Sequence, residues 1–316
     1  MSLAFIFPGQ GSQSVGMLGT LAEVFPQVTE TFAQASDILK YDLWKLVCDG
    51  PIDELNKTHI TQPAMLAAGV SVWRVWSEKG GALPSIMAGH SLGEYTALVC
   101  SGALDYEEAV SLVAHRGQLM QEAVPAGTGA MAAILGLDDD AVLEVCQIVE
   151  KESAERNEIV AAVNFNSPGQ VVIAGSKAAV ERAMELAKEK GAKRALPLPV
   201  SVPSHCQLMR PAADKLAERL AQIDFKVPSI PVIHNYNVVS HDNVDDIRTA
   251  LAKQLYNPVR WVETIQLFSG RNIETMIECG PGKVLTGLTK RIDKTLVTRP
   301  VFDSASLDVA LEADKG

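Results

Sequence analysis

Gly89-His90-Ser91-Leu92-Gly93 sets a serine midway between two glycines. A short apolar run, Ser85 to Ala88, precedes it, and a stretch with helical character, Glu94 to Ser101, follows. A serine on a tight strand-to-helix turn has its hydroxyl pushed clear of the sheet, and glycines two before and two after make room for the bend. Such a serine can act as a nucleophile. The next backbone N–H, of Leu92, would then point from a helix N-terminus toward the place where an oxyanion forms. The bland alternative is a plain glycine-rich turn.

A hydroxyl attacks well only when a base takes its proton. Six histidines are available, at 59, 90, 115, 205, 234 and 241. His90 adjoins Ser91, but neighbours on such a turn point apart, so His90 reads as a packing or elbow-shaping residue. His59 and His241 lie in polar surroundings, and His115 lies on a helix. His205 ends the proline-stiffened loop Pro197-Leu198-Pro199-Val200-Ser201-Val202-Pro203-Ser204, and loops of that kind often carry functional side chains. His234 closes a predicted strand. Spacing favours His205 and leaves His234 as its rival. Gln10, in Pro8-Gly9-Gln10-Gly11-Ser12-Gln13, could offer its backbone N–H as a second oxyanion donor, or the loop could be a simple turn. Ser14 stands where a dinucleotide fingerprint needs its third glycine. Gly280-Pro281-Gly282-Lys283 lacks the spacing of a phosphate loop. Arg116 shares a helical face with Leu112, Val113, Leu119 and Met120. A guanidinium there needs an anion: an internal salt bridge, or a substrate carboxylate held by both prongs.

The elements that must position these residues read as an α/β protein. Leu3 to Phe7 is a wholly apolar run ended by Pro8-Gly9, as in a strand covered on both faces. A helix is predicted over 63–79, opening at Pro63 and closed by Gly80-Gly81. Further strands are predicted at 85–88, 230–234 and 275–278, with helices at 94–101, 106–124 and 283–292. Strands alternating with helices imply a parallel sheet. Between 126 and 199 the order becomes strand, helix, strand, strand, helix, strand, with Asn166-Ser167-Pro168-Gly169 as the turn of the central hairpin. That is a ferredoxin-like βαββαβ unit. The expected architecture is a hydrolase-like parallel-sheet core, residues 1–125 and 200–316, with a small subdomain inserted at 126–199. The tail beyond Arg299 carries little structural signal.

Composition narrows the function. Hydrophobic residues are 47% of the 316 and charged ones 21%, which suits a globular chain. The formal charge of −10 argues against general nucleic-acid binding. The five cysteines form no Cys-x-x-Cys pair, so neither a zinc site nor a redox pair is expected, and reduced thiols fit a cytoplasmic protein. The start, MSLAFIFPGQG, lacks the basic region of a signal peptide, and no run reaches the length of a membrane span.

Several of these stretches occur together in a specific order: FPGQGSQ at 7–13, TQPA at 61–64, GHSLGEY at 89–95, NFNSPGQ at 164–170, PLPVSVPSH at 197–205 and GPGKVLTGL at 280–288. In this combination the chain resembles the bacterial malonyl-CoA:acyl carrier protein transacylases of fatty-acid synthesis, from about residue 3 to 292. The resemblance implies a Ser91–His205 dyad in which a backbone carbonyl, assigned to Gln254, orients the imidazole. It implies an oxyanion hole from the N–H groups of Gln10 and Leu92, with Arg116 gripping the malonyl carboxylate. It also implies ping-pong transfer from malonyl-CoA to a phosphopantetheine thiol, with acyl carrier protein as partner and no cofactor or metal. A monomer is expected. Because acyl carrier proteins are generally acidic, a local basic patch including Lys193 and Arg194 is expected despite the net charge. The rival readings are a serine esterase or thioesterase, an acyltransferase serving polyketide synthesis, and a non-catalytic module that binds carrier protein.

Overall fold

The computed structural model describes residues 2–200 and 202–314; Ser201 and the extreme termini lie outside them. Five strands form one parallel sheet: β1 (Leu3–Phe7), β2 (Ile86–Gly89), β7 (Val232–Ile233), β8 (Thr275–Cys279) and β9 (Val297–Val301), in the spatial order β7-β2-β1-β8-β9. All five residues of β1 are buried because side chains alternate between two covered faces. Leu3, Phe5 and Phe7 enter the larger core, where Phe5 meets Trp73 and Trp76 edge-on at 5.3 Å. Ala4 and Ile6 enter the other core with Trp261 and Phe268.

The second sheet is antiparallel, in the order β4-β5-β3-β6: β3 (Gly129–Leu135), β4 (Val160–Ser167), β5 (Gln170–Ser176) and β6 (Arg194–Pro197). The helices Asp139–Glu152 and Lys177–Glu189 cover one face with an apolar core of their own. On the other face, Met131, Val163 and Val172 pack with Cys206 and, at the edge of the cluster, Leu198 and Val200. The loop that leads to His205 is therefore held by this small sheet. A parallel bridge, with the Phe165 N–H donating to the Val259 carbonyl at 3.0 Å, ties the two sheets' layers together.

Two expectations need correction. The helix predicted over 63–79 runs from Thr58 to Glu78, and Pro63 lies inside it. Pro63 removes only one hydrogen bond near the start, and burial of nearly every residue from Thr61 to Val72 holds the helix regardless. The tail is also structured: β9 pairs with β8, and the helix Ser304–Asp314 follows. The signal was faint because β9 is an edge strand carrying Pro300, with only Val301 buried, and the last helix buries just Leu307, Ala310 and Leu311.

The glycines around Ser91 answer to close approach. A Cβ on Gly89 would lie 1.8 Å from the Gly93 carbonyl carbon, and one on Gly93 would lie 2.0 Å from the Phe7 carbonyl oxygen. Backbone crowds both positions, so no side chain can yield. Gly93→Ala should therefore lower stability by about 3 kcal/mol or more, read as a lower urea midpoint. Gly287→Ala, in a helix with open space around the added methyl, is the control and should stabilise by about 0.5–1 kcal/mol. Equal midpoints for the two variants would contradict the steric account.

Candidate active site

Ser91 sits where β2 passes into the helix Gly93–Cys100, at the carboxyl end of the parallel sheet, the edge where such sheets place their sites. Its φ is +51°, a left-handed conformation that a serine adopts only when its surroundings enforce it. His205 also has positive φ, at +65°, and its N–H donates to the Leu255 carbonyl at 2.9 Å. The imidazole Nε2 is 2.8 Å from Ser91 Oγ, and Nδ1 is 2.7 Å from the Gln254 carbonyl oxygen. Gln254 ends the helix Val244–Gln254, so its carbonyl is one that the helix leaves without a partner. A carbonyl only accepts, so Nδ1 carries the proton and Nε2 presents its lone pair to the serine. Burial, and the nearby Arg116 cation, pull the His205 pKa down to about 3, which keeps the ring neutral.

His234, the rival by spacing, is turned elsewhere: it is fully buried with Nδ1 2.8 Å from Glu94 Oε1. His90 lies beside the elbow with its ring against Trp261 and Nε2 2.8 Å from Asn166 Oδ1. His115 is exposed, and His59 and His241 are partly so.

Arg116 is 1% exposed. Its Nη1 donates to Gln62 Oε1 and its Nη2 to Gln254 Oε1, each at 2.8 Å, and Nη2 lies 3.4 Å from Ser91 Oγ. These partners are neutral, and among the described residues Nε has none. Glu94, fully buried, acts on the guanidinium only from behind Gln254, whose Nε2 donates to Glu94 Oε2 at 2.9 Å, so among the described residues no carboxylate contacts Arg116 directly, an arrangement suited to an incoming carboxylate. Gly117, where a Cβ would touch the His59 backbone at 2.6 Å, lets the Arg116 helix close onto the helix that carries Gln62.

The loop after β1 is pressed against the elbow: a Cβ on Gly9 would fall 2.3 Å from the His90 carbonyl oxygen. Among the described residues, neither the Gln10 nor the Leu92 backbone N–H has an acceptor within the chain. Both residues line one cavity of about 210 Å³ with Ser91, Arg116 and His205. Sequence reasoning passed over four supporting residues: Gln62, Glu94, Asn166 and Asn235. Gln62 and Glu94 lie inside the quoted TQPA and GHSLGEY stretches, Asn166 lies in NFNSPGQ, and Asn235 had no signal beyond its place after a strand.

With the geometry in place, comparison with known proteins gives the class. The chain belongs to the acyl transferase domain family, whose model matches residues 4–300. Over 309 residues, 98% of each chain, it is 58% identical to the malonyl CoA-acyl carrier protein transacylase of Escherichia coli. It shares a TM-score of 0.94 and 59% identity with an acyl carrier protein S-malonyltransferase from Vibrio cholerae, over 98% of this chain and 99% of that one. A malonyl-transacylase solved in complex with a type II PKS acyl-carrier protein gives a TM-score of 0.96 at 58% identity, over 99% and 100%. Within the acyl transferases, the chain's place is among the malonyl CoA-acyl carrier protein transacylases.

Proposed function

We propose that the protein moves a malonyl group from malonyl-CoA to the phosphopantetheine thiol of acyl carrier protein through a malonyl-Ser91 intermediate. The observation that carries this is the contact of Ser91 Oγ with both the carbonyl-oriented His205 and a buried arginine whose hydrogen-bond partners are all neutral. His205 Nε2 takes the Ser91 proton as Oγ attacks the thioester carbonyl. The N–H groups of Gln10 and Leu92 hold the tetrahedral oxyanion. Arg116 grips the free carboxylate and so aligns the carbonyl. The carbon–sulfur bond then breaks, and His205 returns its proton to the departing thiolate of CoA. The carrier thiol repeats the cycle in reverse. No step uses a cofactor or a metal, and one chain supplies every group, as a monomer would. Lys193 and Arg194, both exposed at β6, are the proposed part of a basic docking patch for the acidic carrier. Among the described residues no helix is long and apolar enough to cross a membrane, and a cytoplasmic setting fits the substrates.

Release of CoA from malonyl-CoA should be fast and stoichiometric with Ser91, then continue only when phosphopantetheinylated carrier protein is present. Sustained release into water would instead make the protein a thioesterase. A second reading concerns the acceptor, because one solved relative is held by a type II PKS carrier. Comparing kcat/KM for carrier proteins of fatty-acid and polyketide synthesis decides which one this chain serves.

A further inference from the structure

Ser91 needs more than glycines to stay in a left-handed turn: Gln254 Nε2 donates to its carbonyl at 3.0 Å, and its N–H is held by a residue that follows another strand. Asn235 follows β7 and is 1% exposed. Its Oδ1 accepts the Ser91 N–H at 2.7 Å, and its Nδ2 donates to the Gly89 carbonyl at 2.7 Å. One amide thus spans the elbow from the residue that enters the turn to the residue at its apex. Its orientation is not free, since an N–H can only donate and a carbonyl can only accept. Asn235 is itself anchored at both backbone ends. Its N–H donates to Oε2 of the fully buried Glu94 at 2.8 Å, and its carbonyl accepts from the Arg260 N–H at 3.1 Å. Glu94 takes two further contacts, from Gln254 Nε2 at 2.9 Å and His234 Nδ1 at 2.8 Å.

The geometry points to Asn235 as a positioning residue: it clips the elbow shut and so aims Ser91 Oγ at His205 and frees the Leu92 N–H. This rests on Ser91 being the nucleophile. The clip touches the serine backbone and not Arg116, so its loss slows acylation by malonyl and acetyl donors alike. Loss of Arg116 discriminates between them.

Asn235→Asp tests the role with a near-isosteric side chain. As a carboxylate, the substituted side chain can accept from Ser91 N–H but sets a lone pair against the Gly89 oxygen. Protonated, its O–H donates to Gly89 as the amide did. The groups around it are Glu94 on the elbow helix, His234 just before it in the chain with His241 packed on that ring, Arg260 through its backbone, and His90 on the elbow. Burial and the Glu94 charge favour the protonated acid as pH falls. At about pH 8, burst-phase acylation by malonyl-CoA and by acetyl-CoA should both be about 10- to 100-fold slower than wild type. Toward about pH 5.5 the variant should regain on the order of tenfold while wild type gains nothing. Wild-type rates in the variant at pH 8, slow rates without recovery in acid, or a loss confined to malonyl would each overturn the role. Should Asn235→Asp fail to fold, Asn235→Ala decides, with rates normalised to burst amplitude: slow acylation at every pH is expected, and a wild-type rate per active site overturns the role. Absence of any burst in wild type would overturn the Ser91 reading, and this role with it.

Discussion

His205→Ala should lower the first-turnover rate of malonylation by about 10⁴-fold or more while leaving binding of malonyl-CoA by the folded chain intact. The size follows from the geometry. Among the described residues Ser91 Oγ has one base within reach, at 2.8 Å, and no other side chain hydrogen-bonded to it can accept its proton: the Arg116 guanidinium beside it only donates. The same residue sets the pH dependence. An ordinary imidazole titrates near 6.5, but His205 is held at about 3 by burial and by Arg116. Activity requires the neutral form, so the acid limb belongs where His205 protonates, well below the usual range. Burst rates should stay level between about pH 5 and 8 and fall only below that. An inflection near 6.5 would mean that a hydrated histidine is the base. Rates that survive His205→Ala would mean that it is not the base at all.

Arg116→Ala should lower kcat/KM for malonyl-CoA by about 10²- to 10³-fold and for acetyl-CoA by far less. The guanidinium is buried among Gln62, Gln254 and Ser91, none of which balances its charge. A bound carboxylate would, and losing that charge-assisted pair in a dry site costs several kcal/mol. Acetyl has no carboxylate to lose. It suffers only the slackening of Gln62 and Gln254, and because Gln254 holds His205 through its backbone carbonyl, the dyad persists. Arg116→Lys keeps the charge without the fork and should fall between the two. Equal losses for the two donors would remove the clamp role and reduce Arg116 to a structural residue.

Much of this site is legible in the chain because its parts make strong local demands. The elbow requires glycine where backbone meets backbone at Gly89 and Gly93, and those contacts leave a five-residue mark. A lone arginine on an apolar helical face is equally conspicuous. Spacing favoured His205 over His234 without excluding the second. Each sits where a strand or loop ends, and only the fold turns one toward Ser91 and the other toward Glu94. Asn235 and Glu94 act through contacts more than 140 residues apart in sequence, which no local pattern encodes. The parallel strands showed as short apolar runs wherever both faces are covered. β9, half exposed and carrying Pro300, did not. Pro63 misled for a related reason: its usual place at a helix start yields to tertiary burial that holds one turn more ahead of it.

Covalent transfer through Ser91 can be read from intact-protein mass after brief mixing with malonyl-CoA. Wild type should carry a single malonyl adduct that acyl carrier protein discharges, and Ser91→Ala, equally folded, should carry none. An adduct that survives in Ser91→Ala, or wild type that transfers malonyl without ever holding it, would contradict the account.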